Sequence, residues 1–383
     1  MNSLRSFAYI AVLQAMLLAM LLHAPWSNPS LYTDIIAFFW VDYATRGLTP
    51  YLDLGADGEP FEYPYLAGGI SVLAWRLGGS EAGFYIAYSL IVIGFALLMA
   101  HAILELSSSP LAILCLTAPS MVVYGIYGYD VILVGLTAAS ILAFAKRRYL
   151  LSAFLLALAF HVKILSILFL PYALLRLEGR DRVRYFAAFA AAVVAPILAM
   201  PRGFLEMLEY QTSWGLENAW FVYLFPDAAY PLTRFQQVPV SVECAKAFGY
   251  CLMALLYMLG LKLGLRLPPQ RFMALAAAAY LLGTPRYSPQ TSILLLPFLA
   301  SFMTPRMIPA FLLWELANAS IILTWFTTEA PHMPWQPPQV ASLIRFVALL
   351  ALFIQMVAAA RGLETKIPSI SLMRILRKIK QAS

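Results

Sequence analysis

Apolar runs of roughly 15 to 23 residues recur along the whole chain, and this is the length an α-helix needs to cross a bilayer. The pattern predicts spans over residues 7–22, 82–104, 111–126, 131–145, 186–200, 247–265, 308–326 and 340–360. Two pairs of shorter runs complete it. Segments 150–160 and 164–175 meet at 161–163, and segments 272–282 and 291–303 meet at 283–287. The run 66–78 is too short for a comfortable crossing and reads as a re-entrant or interfacial helix.

Charges orient these elements. Basic residues concentrate in loops on the cytoplasmic side. Arg5 therefore places the N-terminus inside, and the first span delivers residues 25–64 outside. That loop carries Asp34, Asp42, Asp53, Asp57, Glu59 and Glu62 against a single Arg46. Alternation then puts Lys146-Arg147-Arg148, Arg176 to Arg184, Arg266, Arg271 and Arg306 inside, with loops 201–245 and 327–340 outside. A full crossing at 66–78 would put the clusters at 146–148 and 176–184 outside. The expectation is an all-α polytopic membrane protein of about twelve transmembrane or half-spanning helices, with helices in its outer loops. It is a single domain over 1–383, with both termini cytoplasmic, most simply in the plasma membrane. The tail from 361, with Lys366, Arg374, Arg377, Lys378 and Lys380 among aliphatic residues, reads as a basic helix on the anionic inner leaflet.

Composition agrees. Hydrophobic residues make up 62% of the 383 and charged residues 12%, against about 25% charged in soluble domains. The net charge of +7 sits in short clusters between apolar runs, so nucleic acid is not the expected partner. Cys115, Cys244 and Cys251 show neither disulfide nor metal spacing. The first run could pass for a signal peptide, but residues after it lack a small-x-small cleavage site, and an uncleaved span is the preferred reading. No HExxH, GxSxG, Walker or GxGxxG signature has the needed context.

Candidate chemistry gathers in the outer loops. Asp34 lies just beyond the first span among aromatic and apolar residues. A half-buried carboxylate there can be raised in pKa and serve as a general base, unless it is simply one of six solvated loop acids. Cations at membrane depth are expensive and are functional candidates by default. His161, Lys163 and Arg286 qualify, each at the end of a short segment. Lys163 and Arg286 also fit as interface anchors. Arg202 and Arg234 are weaker candidates. Asp130 either orients substrate or caps the helix beginning at Val131, with capping favoured. Tyr210, Trp214, Trp220, Phe221, Tyr223 and Phe225 read as an interfacial aromatic belt before a sugar platform, as do His332 and Trp335.

The stretch YTDIIAFFWVDYATRGLTPY, followed by FEYPYLAGGISVLAW, resembles the first outer loop of the mannosyltransferase that adds the first mannose of glycosylphosphatidylinositol. More broadly it resembles the glycosyltransferase C superfamily, multi-span enzymes that use lipid-phosphate-linked sugars. AFHVKILSILFLPYALL and, more weakly, GTPRYSPQTSILLLPF continue the likeness in the same order. The resemblance implies that Asp34 activates the acceptor hydroxyl and that His161 and Lys163 lie where a lipid phosphate binds. Asp42, Tyr63 and Asp130 then fall to substrate binding or structure. The related pattern has a second acid two residues after the first, and here that position is Ile36, so a DxD-bound metal is not expected.

The implied reaction moves a hexose, mannose by the resemblance, with inversion, from a polyprenyl or dolichyl phosphate to a lipid or glycan acceptor on the outer face. No cofactor is called for. A flippase for lipids or polyprenyl-linked sugars would use the same cations without a base. A scaffolding subunit would need neither the loop acids nor the broken spans.

Overall fold

The structure, a computed structural model, describes residues 2–27, 31–56, 58–107, 109–231 and 233–362. Asp57 and the basic tail helix expected beyond 362 lie outside them. The described chain is helical. Its elements begin with α1 (Asn2–Leu22), α2 (Tyr65–Gly78), α3 (Glu81–Leu106), α4 (Ala112–Leu116) and α5 (Pro119–Tyr124). There follow α6 (Asp130–Ala145), α7 (Tyr149–Phe160), α8 (Leu170–Arg176), α9 (Gly179–Ala199) and α10 (Pro201–Ser213). The last are α11 (Val240–Gly264), α12 (Pro269–Gly283), α13 (Leu296–Leu299), α14 (Ile308–Trp325) and α15 (Pro337–Ala360).

Among the described residues, six helices are long and apolar enough to cross a membrane: α1, α3, α9, α11, α14 and α15. The chain is an integral multi-pass membrane protein. The shorter apolar helices do a different job. α6 and α12 are apolar on all sides and almost wholly buried, so they form the middle of the bundle and need no polar face. α9 and α11 instead turn Leu198, Val194, Leu255 and Met258 outward, where lipid is the solvent. α11 and α12 approach closely at Gly249 and Gly283. A Cβ on Gly283 would stand 2.5 Å from the Met253 nitrogen and 2.6 Å from the Gly249 carbonyl oxygen.

Several expected boundaries shift for visible reasons. The run 111–126 is not one span: the chain breaks at Thr117–Ala118, and Pro119, which has no N–H to donate, opens α5. The loop expected at 201–245 contains α10, whose Leu205 and Arg202 are both exposed. α9 starts at Gly179 and takes in the arginines of the expected inner loop. The run 291–303 gives only a 3-10 turn, Pro289–Leu294, and the four-residue α13. The short run 66–78 is indeed a helix of 14 residues, α2.

The expected break at 161–163 has a structural use. α7 ends at His161, whose carbonyl accepts N–H groups from Leu66 (2.8 Å) and Ala67 (3.2 Å). These are donors from the first turn of α2, where N–H groups lack the usual partner four residues back; Ala67 shares its N–H with the Pro64 carbonyl (3.1 Å). The charge alternation is also internally consistent. Glu105 pairs with Arg5 (2.7 Å) and Lys146 (3.1 Å), bringing together two residues assigned to one side. At the opposite end of α6 from Lys146 stands Asp130, paired with Lys163.

Candidate active site

Asp34 begins at a local irregularity. The helix that follows it, Ile35–Val41, is π-helical, a form that is rare and often found at functional sites. Thr33 fixes the entry: its hydroxyl donates to the Tyr127 carbonyl (3.0 Å) and accepts from the Ile35 N–H (3.3 Å). Asp34 is thereby set against the turn 125–129, and it is only 6% exposed. Its Oδ2 accepts from the Tyr63 hydroxyl (3.3 Å) and from Gln290 Nε2 (3.4 Å). Burial, and after it the negative charge of Glu62, push its carboxyl well above the usual carboxylate range, while Lys163 acts in the other direction.

Asp34 lines a cavity of about 550 Å³. Its walls also carry Glu62, Tyr63, Lys163, Glu217, Lys246, Arg286 and Gln290. Residues as far apart in sequence as Asp34 and Gln290 therefore share one chamber. Its size suits a small ligand or headgroup. Tyr32, Tyr127, Trp214, Trp325 and Phe326 supply aromatic wall.

Two of the three cations expected around a phosphate line the chamber, and one does not. Lys163 sits at the α7 break with an extended backbone and donates to both oxygens of Asp130 (2.9 and 2.8 Å). Its ammonium also lies 5.3 Å from the Tyr63 ring centroid. Arg286 lies in the loop after α12. Its Nη1 donates to Gln211 Oε1 (2.7 Å), its Nε stands 3.7 Å from Glu217 Oε2, and its plane faces Trp214. Its Nε is buried without a hydrogen-bond partner. His161 is outside the lining. Its Nε2 meets the Ala192 carbonyl (3.2 Å), and its main chain caps α2, so its place in the fold is a structural one.

The remaining expectations resolve as follows. Asp130 does not cap its helix through its side chain; its carboxylate is the buried partner of Lys163. Asp42 lies outside the chamber, and its carbonyl accepts from Ala56 N (3.1 Å), folding the first loop. Asp42→Asn is expected to slow turnover far less than the same change at Asp34, measured side by side. Arg202 pairs with Glu206 one turn on, and Arg234 with Glu59, so both are already engaged outside the chamber. Of the belt aromatics, Trp214 lines the chamber, whereas Tyr210 and Phe221 are buried and Trp220 stacks on Phe346 with ring centroids 4.0 Å apart. Packing, more than the interface, accounts for these three.

Glu62, Glu217, Lys246 and Gln290 line the chamber and were not anticipated as site residues. Glu62 stands next to Tyr63 in an already noticed motif, so its signal was present. Glu217 had none. It reaches the site because its main chain pairs with the loop carrying Arg286: Glu217 N donates to Pro285 O (3.1 Å) and Tyr287 N to Glu217 O (2.8 Å). Among the described residues, no three His, Cys, Asp or Glu side chains converge as a metal site.

Comparison with known proteins bears on the chain's family. No sequence among the curated proteins matches the chain. The sequence profile of glycosyltransferase family 87 matches residues 64–285, a segment holding the α2 cap, the α7 break with Lys163, the Glu217 loop and the approach to Arg286. With more than half its length matched, the chain belongs to glycosyltransferase family 87.

Proposed function

We propose that this protein transfers a hexose, mannose by the sequence resemblance, from a polyprenyl or dolichyl phosphate to a hydroxyl of a lipid or glycan acceptor. The observation that carries this reading is the meeting of a buried carboxyl group, Asp34, with Lys163 and Arg286 in a single chamber of a membrane-embedded glycosyltransferase. The acceptor oxygen forms a bond to the anomeric carbon as the bond from that carbon to the phosphate oxygen breaks. The hydroxyl proton passes to the Asp34 carboxylate, whose Oδ2 accepts from Tyr63 and Gln290. The bonding electrons leave with the polyprenyl phosphate, and Lys163 and Arg286 offset the charge that develops there. Attack opposite the leaving phosphate inverts the anomeric centre. The positive-inside distribution supports a chamber facing outward across the plasma membrane with the N-terminus inside. An assay of purified protein with a panel of polyprenyl-phosphate hexoses tests the proposal. Transfer from the mannosyl donor is expected, and no transfer from any of them would remove it.

The electrostatics predict a pH profile. Burial and then Glu62 disfavour the charged form of Asp34, so it keeps its proton to higher pH than an ordinary carboxyl group. The base appears as pH rises, and kcat/KM should climb along a limb displaced upward from the ordinary Asp range. Glu62→Gln removes one cause of the displacement and should move the limb to lower pH. Identical limbs in the two proteins would show that Asp34 does not set it.

With Ile36 where a second acid would stand, a strong chelator is expected to leave transfer largely intact. Loss of activity restored by added manganese or magnesium would reveal a metal held by other loop acids.

A further inference from the structure

Arg345 lies within α15, in a candidate membrane span and outside the segment that carries the family match. It is fully buried, and its contacts are unusual. Nη1 donates to Asn318 Oδ1 (2.8 Å), while Nη2 donates to both the Asn218 carbonyl (2.9 Å) and the Tyr287 carbonyl (3.0 Å). Its guanidinium carbon lies 3.5 Å from the Tyr287 ring centroid. Among the described residues it makes no ion pair with a carboxylate. A charge this deep is costly and persists where it does something an apolar side chain cannot.

The two carbonyls on Nη2 belong to the residues next to Glu217 and Arg286. A single nitrogen thus ties together the two loop segments that carry these chamber residues. The third partner, Asn318, extends the grip: its amide donates to the Pro289 carbonyl (3.0 Å), immediately before Gln290, which meets Asp34. Tyr287 is held from its other side by Trp314 Nε1 (3.2 Å) and Ser292 (2.9 Å). Only a planar, multi-donor cation can serve three acceptors spread this way; lysine is a point charge without the fork.

We infer that Arg345 is a positioning residue for the transfer reaction, clamping the 217–218 and 285–290 segments so that Arg286 meets the donor phosphate and Gln290 holds Asp34. The inference rests on the phosphate reading given above for Arg286. Arg345 does not line the chamber itself and acts through these loops.

The test is equilibrium binding of undecaprenyl phosphate to full-length protein in detergent, for the unaltered chain, Arg345→Lys, Arg345→Met and Arg286→Ala. Stoichiometry and Kd are read separately, with monodispersity and melting as folding checks. A merely structural role would lower the bound fraction and leave Kd of the folded molecules alone. The clamp predicts that folded Arg345→Lys binds with full stoichiometry and a Kd raised about tenfold or more. If the arginine variants do not fold, Asn318→Ala, which removes one arm of the clamp, is expected to raise Kd in the same direction. Arg286→Ala separates the two ideas. Loss of binding in Arg286→Ala with an unchanged Kd in Arg345→Lys (or in Asn318→Ala where it stands in) overturns the clamp alone. Unchanged binding in Arg286→Ala overturns the phosphate reading and the clamp with it.

Discussion

Asp34→Asn is expected to lower turnover by about a hundredfold or more while donor binding persists. The substitution keeps the side chain's size and its capacity to accept from Tyr63 and Gln290. It removes the ability to take a proton. Because the Asp34 carboxyl already sits well above its ordinary range, charge removal there also relieves repulsion with Glu62, so folding should hold or improve. A thermal melt at or above that of the unaltered protein, together with near-complete loss of transfer, is the expected pair of results. The same variant separates an enzyme from a flippase. A flippase with this chamber would move lipid-linked sugar across liposome membranes equally well with or without the Asp34→Asn change. Near-normal transfer by the variant would end the general-base assignment.

The reach of the sequence was uneven, and the unevenness has physical causes. Asp34, Lys163 and Arg286 were legible because an ionisable residue beside an apolar run is costly and stands out, and because the spans alternate against the basic loops. The same argument applied equally to Glu315 and Arg345, each inside an expected span, and would have pointed to the buried network around Tyr287. Helix ends were less legible. Pro119 breaks an apolar run that hydropathy alone reads as continuous, and α10 escapes a search for apolar runs because it is amphipathic, with polar residues offsetting its apolar ones. Glu217 and Gln211 could not be found in this way. They come to the chamber through main-chain pairing and a side-chain contact with Arg286, and neither leaves a periodic trace. The capping reading of Asp130 fails because its partner lies 33 residues on, at the α7 break, beyond any local helix-cap rule.

The cations make the other large prediction, and the geometry decides which should matter more. Lys163 gives two hydrogen bonds to Asp130, which is 1% exposed, so part of its charge is already engaged. Arg286 holds Gln211 through Nη1, but its nearest carboxylate oxygen is 3.7 Å away and its Nε has no hydrogen-bond partner. Arg286 therefore has more capacity to offer a phosphate, in the planar form that suits one. Arg286→Gln should weaken binding of a polyprenyl phosphate by about 2 to 5 kcal/mol, roughly thirtyfold or more in Kd. Lys163→Met alone is a poor probe, since it would strand a buried carboxylate and cost about 3 to 5 kcal/mol of stability. Pairing it with Asp130→Asn removes both charges. The double variant should fold, and it should bind more weakly than the unaltered protein but more tightly than Arg286→Gln. Lys146→Ala, which touches only the Glu105 network at the other end of α6, should leave binding unchanged. If the Lys146 change weakens binding as much as the Arg286 change does, the phosphate does not sit in this chamber, and the effect of each cation is no more than its contribution to net charge.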